Sequence, residues 1–115
     1  MAYLSNNVLT IKDCSTHAFV CNGPTAAGWY GENLVRCAEK MNLLDKFRKH
    51  DKDAMETVCN EFAKQWAGIV THVTRNEAKN AENVFTSAVL DLDTGVMNYY
   101  WEYNARHMGR GKVEF

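Results

Sequence analysis

The sequence has one proline, Pro24, and seven glycines spread over 115 residues. No stretch is proline-rich or glycine-rich, so no flexible or polyproline linker divides the chain. It also lacks an excess of charge. Thirteen Lys and Arg against fourteen Asp and Glu leave a formal net charge of −1. No global field draws the chain to nucleic acid or to a membrane surface. Long apolar runs are missing too, and none approaches the roughly 20 residues needed to span a bilayer. The opening residues, Met1 to Asn7, carry no basic stretch followed by an apolar one, so the expectation is no secretion signal.

What is present is ordinary globular material. Hydrophobic residues make up 46% and charged residues 23%, which suffices for one core and argues against wholesale disorder. The expectation is a single domain over residues 1–115. The four cysteines, Cys14, Cys21, Cys37 and Cys59, read as reduced thiols in a cytoplasmic protein, because Cys37 and Cys59 fall on apolar helix faces.

Val8-Leu9-Thr10-Ile11-Lys12 and Thr16-His17-Ala18-Phe19-Val20-Cys21 read as two strands around a turn at Asp13-Cys14-Ser15. Asn22-Gly23-Pro24-Thr25 breaks the chain. Leu34, Cys37, Ala38, Met41, Leu44 and Phe47 then recur at three- and four-residue steps, which predicts an amphipathic helix. A second stripe, Met55, Val58, Cys59, Phe62, Trp66, Ile69, Val70 and Val73, predicts a second helix of five turns, with Asp53 and Glu56 as its capping box. From residue 83 the period changes to two. Residues 83–91 and 96–103 read as strands around the turn Leu92-Asp93-Thr94-Gly95, and Lys112 to Phe115 as a short last strand. The order ββααββ predicts an α+β two-layer sandwich. It has about four antiparallel strands with both amphipathic helices on one face.

No catalytic set emerges. Cys14-x-x-His17-x-x-x-Cys21 has a spacing suggestive of zinc, but in a strand His17 and Cys21 are about 13 Å apart at about 3.3 Å per residue. One ion cannot bridge that distance, so the expectation is no metal and no cofactor. Asp93-Thr94-Gly95 is the triplet of aspartic proteases. Val96 follows it where Ala or Ser is the pattern, and two long helices do not suit an all-β fold, so the triplet reads as a turn. A cysteine- or aspartate-dependent hydrolase is the second alternative, without a local signature that activates any residue.

The C-terminal quarter carries the interaction chemistry. Tyr99, Trp101 and Tyr103 alternate on one strand face, Tyr100 lies on the other, and Arg106, Arg110 and Lys112 follow among glycines. Tyr, Trp and Arg are enriched at protein interfaces. The leading reading is a small non-enzymatic interaction module, such as an adaptor, inhibitor or accessory subunit of bacterial or phage type. It binds another protein, or itself as a homodimer, through Tyr99, Tyr100, Trp101, Tyr103, Arg106 and Arg110. The alternative is a binding domain for a phosphorylated ligand or nucleic acid using Gly23, Thr25, Gly28, Arg106, Arg110 and Lys112, since a glycine-bearing turn before a helix can hold an anion.

Overall fold

A computed structural model describes residues 5–115; residues 1–4, which belong to the stretch weighed above as a leader, lie outside the described residues. Ten elements follow one another: β1 (Ser5–Ile11), β2 (Ala18–Gly23), α1 (Ala27–Lys40), α2 (Leu44–Arg48), α3 (Lys52–Gln65), β3 (Val70–Val73), α4 (Arg75–Lys79), β4 (Val84–Leu90), β5 (Val96–Trp101) and β6 (Arg106–Lys112). The six strands form one sheet in the order β3-β2-β1-β4-β5-β6. All neighbours are antiparallel except the central pair, β1 and β4, which run parallel.

This corrects the expected ββααββ sandwich of four antiparallel strands and two helices. The largest difference is β3. Ile69, Val70 and Val73 continue the apolar spacing of α3, but the helix stops at Gln65 and Gly68 takes φ +87°. That left-handed residue reverses the chain and sends Val70–Val73 back along β2. The first expected helix is likewise two, because Asn42 at φ +57° separates α1 from α2. The cap of α3 is Asp51 and not Asp53: its Oδ1 accepts the Ala54 amide at 3.0 Å. The last strand is Arg106–Lys112, so residues 112–115 are its end and a tail. That tail is held by the Val113 amide donating to the Gly95 carbonyl at 2.8 Å, by the buried Val113 side chain and by the Arg48 guanidinium 3.7 Å over the Phe115 ring. The hairpin turn before β5 is as expected: Asp91 Oδ1 accepts the amides of Asp93 and Thr94, and Gly95 supplies φ +82°.

The two faces of the sheet bury different things. Leu9, Ile11, Phe19, Ala88, Leu90 and Met97 face α1, α2 and α3, where they meet Leu34, Val35, Phe47, Val58 and Phe62 in the main core. On the opposite face Val8 and Ala18 meet Ala78 of α4, flanked by Val20, Val73 and Tyr103. The fourth helix, capped by a reciprocal Thr74–Glu77 box, therefore closes only the β1–β2–β3 half of that face.

The start of α1 is held by a neighbouring strand. Its N-cap, Ala26, offers no side-chain acceptor. Instead Thr86 Oγ1 on β4 accepts the Ala27 amide at 3.1 Å and donates to the buried Asn7 Oδ1 at 2.7 Å. Asn7 Nδ2 in turn donates to the Gly23 carbonyl at 2.9 Å. The relay links β2, β1, β4 and α1 in one satisfied polar path. Thr86→Val is expected to cost about 1–2 kcal/mol, since it strands the Ala27 donor and half of the Asn7 amide in the interior. Urea unfolding measures it, and an unchanged midpoint would show that the relay adds nothing to stability.

Candidate functional site

The aromatic residues of the C-terminal hairpin divide between roles. Tyr99 turns toward the helix layer. A Cβ on Gly28 of α1 would lie 2.5 Å from its Cε1, and one on Gly111 of β6 would collide with its hydroxyl, so two glycines make room for the ring from two elements. Tyr100 lies on the opposite face, edge-on to His107 at 5.3 Å, and the His107 ring bonds Asn98 at 3.0 Å. Trp101 and Phe85 remain 41% and 56% exposed and pack edge to face at the end of the hairpin. Tyr103 belongs to the small cluster over Val8 and Ala18. Arg106 and Arg110 are exposed on β6. Of the six residues read from the sequence as a binding face, Trp101, Arg106 and Arg110 are exposed, whereas Tyr99, Tyr100 and Tyr103 are half-buried.

Of the residues of the phosphate reading, Gly23 and Gly28 are engaged by the fold, whereas Arg106, Arg110 and Lys112 are exposed. The Gly23 carbonyl receives Asn7, and the Gly28 backbone is covered by Tyr99. Gly28 and Lys112 do come together, both lining a groove of about 340 Å³ between the start of α1 and the β5–β6 hairpin. Trp29, Glu32, Tyr99 and Met108 are among the other residues that line it. Trp29 and Met108 are both more than two-fifths exposed, which makes the groove an apolar slot with one cation and one carboxylate at its margin.

The β6 strand itself is the outermost strand. It pairs with β5 on one side, and among the described residues its other edge carries no strand. Every second residue of such a strand offers its N–H and C=O outward. The strand has three cations, Arg106, Arg110 and Lys112, and no acidic residue.

A second constellation lies at the far side of the sheet, and the sequence reading missed it. His17, just before β2, and His72, on β3, meet with Nδ1 and Nε2 2.8 Å apart. His72 Nδ1 bonds Asn60 Oδ1 of α3 at 2.9 Å, and Cys59 Sγ lies within 4.8 Å of both imidazoles. Burial lowers the pKa of both histidines, and each is partly countered by the negative field of Glu56. His17 therefore groups with residues 59 and 72, and Cys21 is not part of the cluster. The signal in the sequence was weak: Thr71-His72-Val73 lay inside an expected helix, and Cys59 on an apolar stripe.

All four thiols are free and buried. Desolvation pushes Cys21 up to about 12 and raises Cys37 and Cys59 as well, which keeps them protonated at neutral pH and makes them poor nucleophiles. Among the described residues no helix is long and apolar enough to cross a membrane. No family model matches the chain, and comparison with curated proteins and with solved structures yields no match.

Proposed function

We propose that the chain is a non-enzymatic protein-interaction module that receives an extended acidic segment of a partner protein along the outer edge of β6. The observation that carries the reading is the edge itself: a seven-residue strand, open on one side, with three cations and no anion. An extended segment would complete the backbone pairing, and its carboxylates would answer Arg106, Arg110 and Lys112. The groove beside Trp29 and Met108 would take one apolar side chain. A second copy is a poorer occupant, because edge-to-edge pairing sets the cations of two β6 strands near one another. The four thiols, none in a disulfide, suit a reducing compartment, and the proposal places the chain in the cytoplasm.

The test is an NMR titration of the labelled chain with two synthetic peptides of alternating Val and Glu or alternating Val and Lys. The glutamate peptide should shift the amides of Arg106–Lys112 and slow their hydrogen exchange. Arg110→Glu should weaken it about tenfold, or ~1.4 kcal/mol. Equal binding of the lysine peptide, or shifts confined to other strands, would remove the reading.

A further inference from the structure

The His17–His72–Cys59 cluster lies apart from the β6 edge, at the opposite end of the strand order, and nothing in the proposed interaction uses it. Three features distinguish it from a chance contact of polar groups. The first is how the two imidazoles meet. Their planes differ by 22° and their centres are 4.9 Å apart, so His17 Nδ1 and His72 Nε2 face each other edge to edge. The second is the tautomer of His72. With Nδ1–H donated to Asn60 Oδ1, Nε2 is left as the nitrogen with the lone pair, and it points into the cluster. A carbonyl oxygen that accepts from the far ring nitrogen and so fixes the histidine in this way is the usual support of a metal-bound imidazole. The third is the thiol. Cys59 is fully buried, on the helix that also supplies Asn60, and its sulfur completes a set of one sulfur and two nitrogens.

We propose that His17 Nδ1, His72 Nε2 and Cys59 Sγ form a binding site for one zinc ion, with water in the fourth position.

The donor types are those zinc takes in tetrahedral sites. Zinc–nitrogen bonds of about 2.0–2.1 Å at a tetrahedral angle hold two nitrogens about 3.3 Å apart. The pair at 2.8 Å therefore has to open by about half an ångström, which a small turn of the His17 ring provides, since its residue precedes β2 and is only partly buried. The ion takes the place of the proton that now joins the two rings. That proton moves to His17 Nε2, leaving the imidazole neutral, and the Cys59 thiol releases its proton to solvent. Burial alone disfavours a Cys59 thiolate, but a cation bonded to sulfur reverses that balance. Glu56 lies one turn before Asn60 on α3, and its negative field already reaches both imidazoles. With His17 and His72 neutral, the ion and the Cys59 thiolate carry one net positive charge, which Glu56 offsets.

The full chain, stripped with a chelator and then given one equivalent of metal, tests this directly. Native mass spectrometry should show one zinc ion per chain. Cobalt in its place should give a near-ultraviolet sulfur-to-metal band in the wild type and in Cys37→Ala, a thiol outside the cluster, but not in Cys59→Ser. Asn60→Ala should weaken zinc binding about 10–100-fold with the ligands intact. His17→Gln, at a partly exposed position, should abolish binding while the circular dichroism of the metal-free chain stays that of the wild type, so the test does not depend on Cys59→Ser folding. No retained ion, a cobalt band that survives Cys59→Ser, or wild-type affinity in His17→Gln would each overturn the site.

Discussion

Phe19→Ala should cost the fold about 3–5 kcal/mol, the range for emptying a fully buried aromatic position. Phe19 projects from β2 into the main core with no exposed surface. Its ring meets Phe62 of α3 at 5.3 Å and 84°, an edge-to-face contact worth about 0.5–1.5 kcal/mol beyond the area it buries. On its other side lies the His72 ring at 5.4 Å. The side chain is the wedge that joins β2, β3 and α3. A domain of this size is stable by about 5–15 kcal/mol, so the variant would stand near the edge of folding. At about 4 °C for each kcal/mol, the midpoint of thermal unfolding should fall by about 12–20 °C. Urea and thermal denaturation read the same quantity. A loss below about 1.5 kcal/mol would mean that α3 closes on the sheet without it.

Gly28→Ala is expected to have the opposite sign from its local chemistry. In an open helix interior alanine is better than glycine by about 1 kcal/mol. Here the new methyl would stand 2.5 Å from Cε1 of Tyr99, and the ring cannot retreat because Gly111 already admits it closely on the β6 side. The ring or the hairpin must move, at a cost of about 1–3 kcal/mol. Because Tyr99 ties the hairpin to α1, the same variant should weaken the acidic peptide at β6. Tyr99→Leu measured alone and with Gly28→Ala isolates the coupling. The double variant should recover most of what Gly28→Ala loses. If Gly28→Ala proves as stable as the wild type, the tyrosine is not confined.

These residues also mark where the sequence was readable. The turn from Asp91 to Gly95 was legible because its chemistry is local, one carboxylate bonding two following amides. The alternation of β4 and β5 and the apolar stripes were legible because burial on one face imposes a period. The break at Asn42 was not, since Met41 and Leu44 keep helical spacing across it. Nor was β3: four residues are too few to declare a period, and only Gly68 stood between them and the stripe of α3. The parallel pairing of β1 with β4 and the meeting of His17, Cys59 and His72 depend on contacts between distant segments. No local pattern encodes them. For the hairpin, alternation alone puts aromatics on both faces, but what Tyr99 and Tyr103 touch depends on which distant neighbours are glycines and where α4 lies.

The central parallel pair has a consequence for how the chain comes into being. Asn7 faces Thr86 and Leu9 faces Ala88, so β1 waits for a partner that is made 79 residues later. During synthesis β1 can join β2 at once, but its other edge stays open until Val84–Leu90 has left the ribosome. The entropy of closing so long a loop grows only slowly with its length, yet such non-local pairing slows folding markedly. A nascent or truncated chain ending before residue 84 therefore shows its neighbours an apolar strand edge in what should be the centre of the sheet. The same topology that hides β1 most deeply in the finished molecule leaves it exposed for longest while the molecule is being made.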